Sequence, residues 1–143
     1  MSEKLLTCIR DGVLEITINR PEALNAFDAD VHSGLDAIWQ RFDADAGLRA
    51  AIVTGAGERA FSAGSDLKYY QSGAPIVLPV SGYGGLSHRR LSAAEAQRLG
   101  LVNEVVPRSA LMATARRWAA DILLGAPRAG MEWSLRWLTF TNL

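Results

Sequence analysis

The sequence contains few of the residues from which disulfides and metal centres are built. Cys8 is the only cysteine among the 143 residues, which excludes a disulfide framework and a cluster of thiolate ligands. Neither of the two histidines, His32 and His88, belongs to a sequence pattern with the ligand spacing of a zinc site. We therefore predict no metal and no bound cofactor.

Long hydrophobic runs and an excess of one charge are also missing. No apolar stretch approaches the ~20 residues that a membrane-spanning helix needs, and the N-terminal residues lack the apolar region of a secretory signal. The 15 basic residues balance 15 acidic ones, whereas nucleic-acid-binding proteins favour a basic face. These features predict a cytoplasmic protein that acts on a small molecule, with neither a membrane nor a nucleic acid as partner.

The first part of the chain has the pattern of a β-hairpin, a helix and a third strand. Strands are predicted at 5–10 and 13–19, because the Asp-Gly pair between them is a strong hairpin signal. Apolar residues at helical spacing predict an amphipathic helix over about 29–45, and 49–54 has the pattern of a short buried strand. A strand, a helix and a buried strand form a crossover unit in which the two strands run parallel.

Regular patterns return near the end of the chain, after a stretch from Ser72 to Arg90 that has no sustained period. A patternless stretch of this length is uncommon inside a compact domain. After it, a capping box from Ser92 to Glu95 predicts the start of a helix. The elements predicted from here are a helix that stops at Gly100, a strand over Leu101–Val106, a long helix from Ser109 to Gly125 and a last helix over Arg128–Leu138.

The strongest local signal of a binding site lies between Phe61 and Lys68. Small residues lead through a turn into a helix, so backbone N–H groups are left uncovered near its first turn, and Lys68 could add a cation. Such a geometry can stabilise an anion or an oxyanion. The alternative is a tight strand-to-helix turn that binds no ligand.

Two ordered sets of motifs resemble the enoyl-CoA hydratase/isomerase family, the crotonase superfamily. The resemblance covers roughly residues 1–70 and 90–127 and implies an α/β fold, a spiral of ββα units with C-terminal helices. It also implies a core over 1–107 and a helical region over 108–143. The matching motifs are NRPEALNAF at 19–27, AIVTGAG at 51–57, AFSAGSDL at 60–67 and LSAAEAQRLGLVNEVVP at 91–107.

The resemblance implies an enzyme that binds an acyl-coenzyme A and stabilises the enolate of its thioester between two backbone N–H groups. The first of these N–H groups would be that of Ser65. The reaction implied first is the hydration of a 2-enoyl-CoA, a lyase reaction of fatty acid metabolism, with coenzyme A present only as part of the substrate. The residues that the resemblance places against coenzyme A or the substrate are Ala23, Leu24, Ala63, Ser65, Asp66, Leu67 and Lys68.

Other functions remain open on the same resemblance. The scaffold also serves isomerases, acyl-CoA hydrolases, carbon–carbon lyases and enzymes of carnitine-type acyl-CoA, such as racemases and hydratases. A non-enzymatic alternative is a catalytically inactive or truncated protein that binds coenzyme A or serves in assembly. The family also implies a homotrimer or a dimer of trimers, in which Trp118, Trp133 and Trp137 could lie at an interface or equally in the core.

The sequence departs from the family pattern at the join between Arg89 and Arg90. Family members carry here an alanine-rich strand, a glycine-triplet loop that supplies the second N–H, and a segment with the catalytic glutamates. The general acid and base are therefore not among the residues of this sequence. Three explanations are open: internal residues of a longer protein are omitted, which we favour, the gene carries a deletion, or the segment was removed by engineering.

We expect the protein produced from its gene to have an intact mass above 15.5 kDa, the mass of the 143 residues. The favoured explanation, omitted internal residues, requires this excess. Intact-protein mass spectrometry measures it directly. A mass of 15.5 kDa would exclude that explanation and leave the other two.

Overall fold

The structure is a computed structural model that describes residues 4–73 and 92–125. These residues form three strands, four helices and a single 3-10 turn at Pro21–Ala23. The strands and helices are β1 (Leu5–Arg10), β2 (Val13–Ile18), α1 (Ala29–Ala44), β3 (Ala50–Gly55), α2 (Leu67–Gln71), α3 (Ala93–Arg98) and α4 (Arg108–Gly125).

The three strands form one sheet in the order β1-β2-β3. β1 and β2 are antiparallel and are joined at Asp11 and Gly12, whose φ angles of 50° and 78° are the positive values that a type I′ hairpin turn requires. β2 and β3 run parallel in the register that pairs Ile16 with Val53. The predicted hairpin and the predicted parallel crossover are both confirmed.

Helices cover the two faces of this sheet, because successive strand residues point to opposite sides. Leu14, Ile16 and Ile18 of β2 form a buried core with Val31 and Ile38 of α1. The alternate strand residues point to the opposite face of the sheet. On that face, Val13 of β2 and Ile52 of β3 pack against Ala115 and Ala119 of α4. The sheet is therefore the middle layer of three, and its carboxyl ends lead into the loops described below.

The elements of the second half agree with the sequence patterns except in one place. Ser92 accepts a hydrogen bond from the Glu95 N–H and its own N–H donates to the Glu95 carboxylate, which confirms the capping box that opens α3. The predicted strand at Leu101–Val106 is wrong, because these residues form no strand. A strand needs a ladder partner, and the sheet formed by the described residues contains only β1, β2 and β3.

Two further predictions fall on residues outside those that the structure describes. They are the last helix at Arg128–Leu138 and the join between Arg89 and Arg90. The division of the chain into 1–107 and 108–143 likewise stays a prediction.

The loop after β2 is tied to the loop after β3 by the side chain of Asn25, which is 1% exposed. Its amide group donates to the backbone oxygens of Ala56 and Ala60, at 2.9 and 2.8 Å, and accepts from the Arg20 N–H at 3.0 Å. Asn25 has a φ of 56°, a left-handed conformation that asparagine tolerates better than most residues. The whole side-chain amide is thus used to hold the two loops together.

The loops approach each other so closely that Gly55 cannot carry a side chain. A Cβ at this position would lie 2.2 Å from the Phe61 oxygen and 2.6 Å from Asn25 Nδ2. The glycine at the end of β3 therefore has a steric role, and it allows the Asn25 amide to reach its partners.

We expect Asn25→Ala to lower the free energy of unfolding by about 3 kcal/mol, because it leaves three backbone groups without their partner. Asn103→Ala is the matched control, since Asn103 is exposed and a surface change should stay within about 0.5 kcal/mol. Urea denaturation followed by circular dichroism measures both values. Equal losses in the two variants would contradict the role given to Asn25.

Candidate active site

Residues 24–27 and 63–66 lie side by side in a short parallel pairing. The Ala63 N–H donates to Leu24 O at 2.9 Å, and the Phe27 N–H donates to Gly64 O at 2.8 Å. A β-bridge then joins Phe27 to Ser65. The structure thus brings together two of the segments, around Leu24 and around Ala63, that the sequence analysis places against coenzyme A.

One backbone N–H in this pairing is left without an acceptor. The N–H groups of Ala63 and Asp66 donate to Leu24 O and Phe27 O, and that of Gly64 donates to the Ser62 hydroxyl at 3.1 Å. Within the described residues, the Ser65 N–H has no such partner. The pairing with Phe27 explains this, because in a parallel bridge the bonds are made by the residues on either side of Ser65, and the N–H of Ser65 itself points away.

The surroundings of this N–H are open. Gly64 has a φ of 81°, and a Cβ built there would have no atom within 4 Å. Ala63 and Gly64 are exposed and Ser65 is partly exposed. Among the described residues, the backbone at Gly64 is therefore open to a ligand atom.

The hydroxyl of Ser62 helps to hold the turn in place. It donates to Asn25 O at 2.8 Å while it accepts from the Gly64 N–H. Ser62 thus connects the loop held by Asn25 to the residue just before Ser65.

Asp66 is directed into the protein rather than towards the open side. Its carboxylate accepts from Arg20 Nη2 at 2.9 Å and from the N–H groups of Lys68 and Tyr69 at the start of α2. The hydrogen bond from Arg20 is the main cause that lowers the pKa of Asp66. Asp66, one of the residues predicted to contact coenzyme A or the substrate, therefore lies beneath the turn. Its carboxyl group is ionised at neutral pH.

The remaining predicted contact residues lie on the outside of the same region. Leu67 is 70% exposed, Lys68 is exposed, and Ala23 and Leu24 are partly buried. Lys68 has no ion-pair partner within residues 4–73 and 92–125. Among the described residues, nothing prevents its ammonium group from meeting an anionic ligand.

A cluster of charged side chains lies behind the turn. Arg20, with 13% of its side chain exposed, also contacts Asp28 Oδ2 at 3.4 Å, and Lys4 approaches the same carboxylate at 2.8 Å. Burial raises the pKa of Asp28, but hydrogen bonds from Lys4 and from the Val31 N–H outweigh it, so the net shift is downward. Sequence analysis missed Arg20, Asn25 and Ser62, because no local pattern separates a buried polar side chain from an exposed one in a loop.

The glutamates that the structure describes are engaged elsewhere or exposed. Glu15 pairs with Arg116, Glu95 caps α3, and Glu104 accepts from Arg117 and from the Trp118 indole. The partners of these three glutamates lower their pKa values, whereas a general acid at neutral pH needs a raised one. Glu22 and Glu58 are exposed.

A groove of about 360 Å³ lies between α4 and the carboxyl ends of β2 and β3, and its lining includes Ala60 and Phe61, which come just before the turn. Its charged side chains compensate one another, since Arg116 is paired with Glu15 and Arg108 lies near Glu58. None of the residues predicted to contact coenzyme A or the substrate lines it.

Two further searches of the described ranges gave no candidates. No three metal-ligating side chains gather within residues 4–73 and 92–125. No helix in the same ranges has the length and apolar character required to cross a bilayer.

Residues 8–78 match the family model described as Enoyl-CoA hydratase/isomerase. The chain is 42% identical over 90 residues to the mevalonyl-coenzyme A hydratase of Beauveria bassiana, an alignment that covers 54% of this chain and 32% of that protein. It is 29% identical over 204 positions to the carnitinyl-CoA dehydratase of Salmonella typhi, with 90% of this chain and 78% of that protein covered.

Solved structures show the same relationship. The enoyl-CoA hydratase of Mycobacterium tuberculosis H37Rv superposes with a TM-score of 0.74 and 25% identity, over 89% of this chain and 85% of that one. The chain belongs to the enoyl-CoA hydratase/isomerase family of the crotonase superfamily. The predicted family and the predicted crotonase-type α/β fold are confirmed.

The lengths of these alignments also bear on the predicted missing segment. The chain spans about a third of the first curated relatives, 32% and 34% of their lengths. The alignment with the Salmonella typhi protein has 204 positions, whereas the chain has 143 residues, so at least 61 aligned positions have no residue of this chain. The relative therefore contains internal residues that this sequence lacks.

His32 lies beneath the paired loops and is the one histidine that the structure describes. Its ring makes an edge contact with Phe27 at 5.4 Å between centroids, and its Nε2 is buried without a hydrogen-bond partner among the described residues. Burial lowers the pKa of His32, although the nearby Asp28 carboxylate opposes the shift. The folded protein thus favours the neutral imidazole.

We expect the free energy of unfolding to fall as the pH is lowered from 7.5 to 5.5. The unfolded chain binds a proton at His32 below pH of about 6.5, whereas the folded chain binds it only at lower pH. His32→Gln should flatten this slope, whereas Asn103→Ala, at an exposed position, should preserve it, as measured by urea denaturation at each pH. Carboxylates with lowered pKa values lose their contribution only at more acidic pH, so an unchanged slope in His32→Gln would contradict the assignment.

Proposed function

We propose that this protein binds an acyl-coenzyme A and uses the Ser65 N–H to stabilise negative charge on the thioester oxygen, as an enzyme of the enoyl-CoA hydratase/isomerase type. The observation that carries the proposal is the Ser65 N–H, which makes no hydrogen bond with the described residues, whereas the neighbouring N–H groups of Ala63, Gly64 and Asp66 are all bonded. A donor fixed in advance by its neighbours needs no reorganisation when charge develops on the oxygen, which is what makes an oxyanion site effective.

The reaction we propose is the addition of water to a 2-enoyl-CoA. Water adds at C3, the electrons of the double bond move towards the thioester oxygen, and C2 is then protonated. The Ser65 N–H would donate to the oxygen while it carries negative charge. The relatives named as hydratases and dehydratases of acyl-CoA thioesters support this class of substrate.

Coenzyme A would lie along the outer side of the paired loops. Ala23, Leu24 and Ala63 would contact it there, and Leu67 would add apolar surface. The ammonium group of Lys68, which has no ion-pair partner among the described residues, suits a phosphate of the nucleotide end. On the family resemblance, we also propose that the protein forms a homotrimer or a dimer of trimers and is located in the cytoplasm.

The second candidate is a protein that binds coenzyme A but does not turn it over. It is favoured by the glutamates of the described residues, which are engaged with other side chains or exposed, so that no carboxyl group with a raised pKa lies beside Ser65. The aligned positions that have no residue in this chain also favour this candidate, because the catalytic acid and base of the relatives could lie among them. Binding and turnover must therefore be measured separately.

Ser65→Pro removes the proposed donor, because proline has no N–H and the amide it replaces makes no hydrogen bond with the described residues. We expect coenzyme A to bind within about threefold of the wild-type affinity, and crotonyl-CoA hydration to fall by about 10²–10³. Ser65→Ala is the matched control, since it keeps the N–H and should stay within about twofold of the wild-type rate. Calorimetry measures binding, and loss of the enoyl absorbance measures turnover.

Each outcome of this comparison decides between the candidates. A Ser65→Pro protein with the wild-type rate would overturn the role of the N–H. A wild-type protein that binds coenzyme A without turnover would select the second candidate, and one that does not bind would exclude both.

A further inference from the structure

The guanidinium group of Arg20 connects the two segments that form the turn. One Nη donates to Ala26 O, next to Phe27, and the other donates to Asp66, next to Ser65. The same Nη lies 3.4 Å from Asp28. Arg20 therefore contacts a neighbour of each residue in the Phe27–Ser65 bridge.

The arrangement needs the flat, forked shape of arginine. Both Nη atoms are used, on partners from different loops, while Nε is buried without an acceptor among the described residues. A lysine ammonium is a single point of charge on a flexible stem and does not reproduce two separated contacts in fixed directions. The geometry thus depends on the guanidinium and not on positive charge alone.

Charge compensation is the second consequence of this contact. Asp66 follows Ser65 directly, so a carboxylate lies close to the place where a ligand oxygen would become negative. Arg20 neutralises this carboxylate at 2.9 Å, with only 15% of the Asp66 side chain exposed. Without the guanidinium, the acid would oppose negative charge at the Ser65 N–H, and little water would screen it.

We propose that Arg20 is a positioning residue for the oxyanion site, which fixes the direction of the Ser65 N–H through Asp66 and neutralises the carboxylate beside it. The inference rests on the proposed function, because it requires that a ligand oxygen meets the Ser65 N–H. It assigns no direct contact between Arg20 and the substrate.

The test uses acetoacetyl-CoA, a 3-oxoacyl thioester whose enolate absorbs in the near ultraviolet. A site that stabilises negative charge on the thioester oxygen lowers the apparent pKa at which the bound ligand forms its enolate, and a merely structural residue would not change this value. The titration is made on the wild-type chain and on Arg20→Lys, Arg20→Gln, Asp66→Asn and the double variant Arg20→Gln/Asp66→Asn. Arg116→Gln is the matched control, since it removes another arginine–carboxylate pair at a distance from this turn.

We expect Arg20→Gln to raise the apparent pKa of the bound ligand by about one unit, a tenfold loss of enolate at a given pH. Arg20→Lys should raise the apparent pKa by less than Arg20→Gln does. The double variant should also raise it by less than Arg20→Gln, because the uncompensated carboxylate is gone. Asp66→Asn should shift the value less than Arg20→Gln, and Arg116→Gln should leave it unchanged.

The results separate the inference from the proposed function. If the wild-type chain and Arg20→Gln both bind acetoacetyl-CoA and lower its pKa equally, the role of Arg20 is overturned and the proposed oxyanion site stands. A wild-type chain that does not lower the pKa of the bound ligand would overturn the proposed oxyanion site itself. If Arg20→Gln does not fold by circular dichroism, Arg20→Lys and Asp66→Asn decide, and wild-type values in both would contradict the proposal.

Discussion

The buried amide of Asn25 is the interaction on which the rest of the site depends. Two parallel strands end side by side, and each leads into a loop with its own unpaired backbone groups. Because those groups are costly to bury without partners, the loops need a donor and an acceptor at fixed places between them. Asn25 provides both, at a position where Gly55 leaves room for it. The pairing of residues 24–27 with 63–66 then follows, and it leaves the Ser65 N–H without an acceptor.

The sequence predicted the regular elements well where a pattern is local. The Asp11-Gly12 turn, the spacing of the α1 residues and the capping box at Ser92 are all fixed by neighbours in the chain, and each was confirmed. The strand expected at Leu101–Val106 failed because a strand also depends on a partner elsewhere. By contrast, the predicted strand that the structure contains as β3 pairs with β2 along its length.

The candidate site was predictable in position but not in construction. Small residues at 62–65 indicate exposed backbone, which is a local property. Which N–H group remains free is decided by contacts with Leu24 and Phe27, nearly forty residues away along the chain. The direction of the Asp66 carboxylate is likewise set by Arg20, 46 residues before it. Family resemblance supplied Ser65, whereas Arg20 and Asn25 required the three-dimensional arrangement.

The group that we assign to catalysis at Ser65 belongs to the main chain, and this changes what side-chain replacement can show. Every substitution at position 65 except proline exchanges the hydroxymethyl group and keeps the N–H, so a survey that truncates each side chain in turn would record position 65 as neutral. The sensitive positions in such a survey would be Asn25 and Ser62, which hold the backbone in place and would be taken for residues of the folding core. In a protein of this kind, sensitivity to side-chain truncation therefore marks the supports of the proposed oxyanion site, while its main-chain donor leaves no trace in such a survey.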